Sequence, residues 1–216
     1  MGRLVGSRHW AWARRLAIFA VFGLSAAPLA GQTIIEEWTR IQAPPAPTIG
    51  PVELTARTTA LLVLDFTRQA CSERVPRCLS VVPNVEKLLR TARASGALIV
   101  YSHQPNATAN DIDQRLAALP GDPIVAGGPD KFIGTNLARL LKDHGIETVI
   151  VTGVRANGAV LFTGGEAALN GYNVVVPVDG MASLTAYEEQ FTAFNLVNAP
   201  GMQKVKLATT GGISFR

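Results

Sequence analysis

The sequence is poor in the residues that build metal, redox and disulfide scaffolds. Its 216 residues include two cysteines and three histidines. No two histidines are close in sequence, so no metal-ligand spacing is present and no metal is expected. Charged residues make up 17% of the chain and aromatics 6%. Charge this low beside a large aliphatic content excludes a disordered chain. Gly and Pro are scattered without period, which excludes collagen-like and mucin-like classes. No Gly-x-Ser-x-Gly elbow occurs. A true excess of positive charge is also missing, although the net charge is +4. Residues 1–30 hold Arg3, Arg8, Arg14 and Arg15 and no acid. Removing those four from the twenty basic side chains leaves sixteen against sixteen acidic ones. A nucleic-acid partner is therefore not expected. What the chain does have is apolar material, 48% of its residues. That is enough for one well-filled core at a length that suits one domain.

The four early arginines precede an apolar run of about fifteen residues ending at Ala30. Basic then apolar is the order of a secretory signal peptide, and a membrane span needs about 20 residues. Residues 1–30 thus read as a signal peptide cleaved around Ala27 to Gly31, the alternative being an uncleaved anchor. Arg14-Arg15 fits a twin-arginine route or a chance pair in an ordinary signal. The expected location is periplasmic or secreted, with no membrane contact after signal removal. Export agrees with Cys71 and Cys78, which an oxidising compartment would join into one disulfide. Two separate buried thiols are the alternative, and a metal site would need further ligands. Residues 31–58, containing Ala43-Pro-Pro-Ala-Pro47, read as an extended arm.

From residue 59 to 216 the chain alternates. Residues 60–66 form a continuous apolar run, the pattern of a strand buried on both faces. Residues 81–95 have helical spacing and end at Gly96. Further strands are expected at 97–102, 147–152, 173–177 and 205–209, with a minor one at 123–125. Further helices are expected at 110–119, 135–144, 156–170 and 186–197. This alternation predicts an α/β fold with a parallel sheet covered by helices on both faces. Ligands in such folds bind beyond the carboxyl ends of the strands. The residues that belong there are Asp65, His103, Gly153 to Ala159, and Asp179.

Asp65 interrupts an apolar strand. Burying a carboxylate raises its pKa and suits it to proton transfer; the plain alternative is an acid capping a neighbouring loop. Lys131, in Gly127-Gly-Pro-Asp-Lys-Phe-Ile-Gly-Thr135, either reaches the same cleft or is an exposed lysine. His103 reads as a satisfied core or rim histidine. Gly153-Val-Arg-Ala-Asn-Gly158 follows a strand and opens a helix. It has the glycine spacing of a phosphate loop, but Ala159 stands where the lysine should be. Either its helix-end N–H groups hold an oxyanion or carboxylate, or it is a tight turn that needs Gly.

Leu64-Asp-Phe66, Asp130-Lys-Phe-Ile-Gly-Thr135, Ile150-Val-Thr-Gly-Val154 and Gly171-Tyr-Asn-Val-Val-Val-Pro-Val-Asp179 together resemble the isochorismatase-like (cysteine hydrolase) superfamily over about residues 59–210. The resemblance implies a three-layer α/β/α sandwich with a mainly parallel, Rossmann-like sheet, commonly in a homo-oligomer. Its hydrolases cleave amides or related C–N bonds with an Asp–Lys–Cys triad. Its isochorismatase branch lacks the cysteine and hydrolyses a vinyl ether with the aspartate as acid. Asp65 matches the aspartate. Ala159 stands at the position of the cysteine, with which neither Cys71 nor Cys78 aligns. The family lysine lies several residues before the Phe-x-Gly-Thr segment, nearer Ala126, and Lys131 is its candidate substitute.

These readings lead to an exported hydrolase acting on a small carbonyl, C–N or vinyl-ether substrate. Asp65 is the general acid or base, and alanine at 159 removes the thioester route. Lys131 and the groups at Arg155, Asn157 and Gly158 would bind substrate or developing negative charge. No cofactor is required. One alternative is a catalytically inactive small-ligand-binding protein on the same fold. Another is a thiol enzyme using Cys71 or Cys78.

Overall fold

The computed structural model describes residues 1–2 and 33–216. The signal-peptide reading at residues 1–30 therefore lies, but for its first two residues, outside them. The chain forms two compact units, Met1–Pro44 and Pro45–Arg216. The described part of the first holds one short helix, α1 (Ile34–Glu37), with no buried residue.

The second unit runs β1 (Val52–Leu54), β2 (Thr59–Leu64), α2 (Pro76–Ala94), β3 (Leu98–His103), β4 (Ile124–Ala126), α3 (Leu137–Asp143) and β5 (Thr148–Val154). It continues α4 (Leu161–Leu169), β6 (Asn173–Pro177), β7 (Met181–Ala182), α5 (Ala186–Asn198), β8 (Val205–Ala208) and β9 (Ile213–Phe215). Seven strands form one sheet in the order β4-β3-β2-β5-β6-β8, with β7 against the end of β5, and every pairing is parallel. All six residues of β2 are buried. Successive side chains on a strand point to opposite faces. Leu61 and Val63 accordingly pack with Val85 and Leu89 of α2. Ala60, Leu62 and Leu64 pack with Leu137 and Leu141 of α3, Ala167 of α4 and Leu196 of α5. The result is the three-layer sandwich expected from the alternation of strands and helices.

The strand order decides where a site can form. The chain lays β2, β3 and β4 outward in one direction. It then returns to place β5, β6 and β8 on the other side of β2. The helices after β2 and β5 cover opposite faces, which opens a crevice at the carboxyl ends of these two central strands.

Four local expectations change. Residues 110–119 form no helix but two single 3-10 turns, Ala109–Asp111 and Gln114–Leu116. The Asp111 carboxylate accepts from the N–H and hydroxyl of Thr108, and Asp113 accepts from the N–H of Arg115. These local bonds compete with helix formation. Helix α2 begins at Pro76, earlier than residue 81, because proline at the first helical position has its φ preset and needs no donor. Residues 156–170 are not one regular helix: a π-helical turn, Ala156–Val160, precedes α4. Residues 31–58 are not simply an extended arm. They contain α1, and β1, which pairs in parallel with β9 (Val52 beside Ile213) as a separate two-stranded sheet.

Candidate active site

Asp65 follows β2 directly and turns the chain with a left-handed φ of 58°. Few residues other than glycine accept that conformation, and aspartate is among the more tolerant. The turn directs the carboxylate at two buried partners. Oδ1 accepts from the Ser102 hydroxyl at 2.7 Å. Oδ2 accepts from Lys131 Nζ at 2.8 Å. Lys131 Nζ also donates to the Gly127 carbonyl at 3.1 Å, and the Lys131 N–H donates to Thr163 Oγ1 of α4 at 3.2 Å. Thr163 in turn donates to the Pro129 carbonyl. The loop before α3 is thereby tied to α4 on both sides of Asp130, directly before the lysine. Of the two readings of Lys131, the exposed one is overturned: its side chain is wholly buried, and Asp65 is 4% exposed.

Burying these charges is costly unless they pair and hydrogen-bond, as they do here. Burial pushes the Asp65 carboxyl above its usual range. The Lys131 ammonium, and then the Ser102 hydroxyl and His103, oppose that rise. His103 itself is half-buried with Nδ1 2.9 Å from the Gln104 carbonyl, in keeping with a satisfied rim histidine.

Asp65 opens into a cleft of about 360 Å³ walled by Gln69, Gln104, Asn106, Arg155, Asn157 and Ala159. The segment after β5 reaches it because Gly153 lies against β2. A Cβ on Gly153 would stand 2.7 Å from Leu64 Cβ and 2.9 Å from the Leu64 carbonyl oxygen. The following peptide, Val154–Arg155, is cis. The Gly158 N–H donates to the Arg155 carbonyl at 3.1 Å, so that amide is spent on the turn and does not serve as an oxyanion donor. Lys131 likewise meets Asp65 and Gly127 instead of the open cleft. The Asn157 amide oxygen accepts from the Ser183 hydroxyl at 2.8 Å.

Cys71 and Cys78 are joined in a disulfide, directly after the wall residues Gln69 and Ala70. They are the only cysteines of the chain, so the thiol-enzyme reading has no thiolate to use. Asp179 does not reach the cleft; it caps Thr210, accepting from both its N–H and its hydroxyl. Among the described residues no three His, Cys, Asp or Glu side chains come together as a metal site.

The sequence reading passed over Ser102, Gln69, Gln104, Asn106, Thr163 and Ser183. Ser102 carried a signal, as a polar residue in a buried strand. Gln104 and Asn106 carried a weaker one, since they lie just beyond a strand's carboxyl end. Thr163 and Ser183 carried none, because their importance lies in partners 32 and 26 residues away.

A model of the isochorismatase domain matches residues 59–208. This chain belongs to the isochorismatase family. Its curated relatives include the N-carbamoylsarcosine amidase of Arthrobacter sp, 25% identical in an alignment that covers 58% of this chain and 58% of that protein. They also include the streptothricin hydrolase of Streptomyces noursei, 31% identical over 65% of this chain and 58% of that protein. The chain thus spans somewhat under two thirds of the length of these isochorismatase relatives. Among solved structures, an isochorismatase-like hydrolase from Alkaliphilus metalliredigens is similar at a TM-score of 0.65 and 24% identity, covering 71% of this chain and 95% of that one. The N-carbamoylsarcosine amidase of Thermoplasma acidophilum is similar at 0.61 and 21%, covering 71% and 96%. At these identities the likeness establishes the isochorismatase fold.

Proposed function

We propose that this isochorismatase-family chain is a hydrolase of small carbonyl, C–N or vinyl-ether substrates, with Asp65 as general acid/base and no cysteine nucleophile. The observation that carries this reading is the buried Asp65–Lys131 pair opening into a cleft beside Ala159, while both cysteines are held in a disulfide. Two relatives named for amidase or hydrolase activity support C–N cleavage. Ala159 takes the place of the family cysteine in this reading, and its methyl leaves the nucleophile to water.

On a C–N substrate, ionised Asp65 takes a proton from water as the water oxygen bonds to the carbonyl carbon. Collapse of the tetrahedral intermediate breaks the C–N bond, and Asp65 returns the proton to the leaving nitrogen. Lys131 sets the charge of Asp65 from behind. The Asn157 side chain is the polar group beside Ala159 that can bind the reacting oxygen.

The test is a turnover screen on the purified protein with amides, ureido acids, esters and isochorismate, run with Asp65→Asn in parallel. Hydrolysis by the wild type that is lost in the variant is the expected result. Undiminished hydrolysis in the variant overturns the role of Asp65. Tight binding without turnover favours the non-catalytic alternative.

A further inference from the structure

Resting on the hydrolase reading above, we propose that the cleft selects small substrates bearing a carboxylate beside the hydrolysable carbonyl, and that Arg155 holds the carboxylate.

The first support is charge. Among the described residues Asp65 is the only acid lining the cleft, and Lys131 already pairs with it. Arg155 lines the mouth, is exposed, and takes part in none of the ion pairs among the described residues. The site therefore carries one positive charge with no protein counterpart. A planar guanidinium offers paired N–H groups that match a carboxylate.

The second support is independent and lies in the amide side chain of Gln104. The fully buried Thr67 hydroxyl donates to Gln104 Oε1 at 2.9 Å. The fully buried Ser183 hydroxyl donates to Asn157 Oδ1 at 2.8 Å. Among the described residues the Thr67 hydroxyl makes no other hydrogen bond, whereas the Ser183 hydroxyl also lies within reach of the Glu188 carboxylate. A buried hydroxyl proton needs an acceptor, so the Gln104 amide oxygen stays turned into the protein. What Gln104 retains for a ligand is the NH₂ end. With Arg155, Gln104 then offers a ligand in the cleft donors only. A carboxylate with a neighbouring carbonyl supplies the acceptors these donors lack. A neutral or cationic substrate leaves the guanidinium without an anion, and a site built to pair a group discriminates against ligands that lack it.

The experiment measures binding by calorimetry in the Asp65→Asn background, where the mechanism above predicts no turnover. The probes are monoamides of short dicarboxylic acids (malonamate, succinamate and glutaramate) and the matching diamides. The acids should bind more tightly than the diamides by about tenfold or more, as expected of a charge-assisted pair, and the preference should weaken as salt rises. Arg155→Gln should abolish the preference, and Arg155→Lys should keep part of it. Thermal unfolding of both variants checks that the fold persists. Equal affinity for acids and diamides, failure of the acids to bind, or a preference that survives Arg155→Gln overturns the proposal. The two readings fail separately. Wild-type hydrolysis restricted to neutral amides removes carboxylate selection and leaves the hydrolase; acid-selective binding without any hydrolysis does the reverse.

Discussion

Asp65 is held between burial, which favours its proton, and Lys131, which favours its charge. With its folded pKa raised, the native chain keeps a proton that the unfolded chain has lost. The stability it contributes therefore falls as pH rises from the ordinary carboxylate range through the raised value. Lys131→Met removes the main opposing charge and should raise that value further. Removing one partner of a buried pair costs about 3–5 kcal/mol. That loss should be full near neutral pH and much smaller near about pH 4, where the unfolded carboxyl is protonated too. Denaturant titrations at the two pH values measure it; an equal loss at both would show that the Asp65 charge is not the cause. The acidic limb of the turnover profile should move to higher pH in the same variant. Asp65 and Lys131 were legible in the sequence as charges in awkward places. That they touch was not, because 66 residues and two strands separate them.

The elements around the cleft divide into those specified by period and those specified by contacts. β2, β3, β5 and β6 were legible because strands buried on both faces need unbroken apolar runs. The segment at residues 110–119 was misread as a helix, since the side-chain bonds of Asp111 and Asp113 outweigh a weak apolar period. The disulfide was legible from composition and the expected compartment, and its place beside Gln69 and Ala70 was not. It closes a loop with a sequence separation of 7. Loop-closure entropy of that size corresponds to about 2–3 kcal/mol of stability. Reducing conditions should lower the denaturation midpoint accordingly, and a Cys71→Ser, Cys78→Ser double variant should match the reduced protein. An unchanged midpoint would mean that the loop is already ordered in the unfolded chain or held by other contacts. Because this loop supports one wall of the cleft, ligand affinity should fall in the same variant.

Across the whole molecule, the crevice exists because the strand order reverses between β2 and β5. If residues 1–30 direct export, expression in a bacterial host should yield periplasmic protein whose first residue lies near Ala27 to Gly31. Mass spectrometry reads that residue directly, and recovery of the full chain from the cytosol would count against export. The sequence by itself determined the α/β class, the covered parallel sheet and the identity of the carboxylate at its edge. Hydrophobic period and the cost of burying a charge act locally, so the linear chain carries them. The tertiary structure alone decided that Lys131 serves Asp65, that the Gly158 N–H is spent on the turn, and that Gln104 presents its donor end. Those outcomes depend on which hydroxyls and carbonyls lie across the crevice, and only the packing of distant segments brings them there.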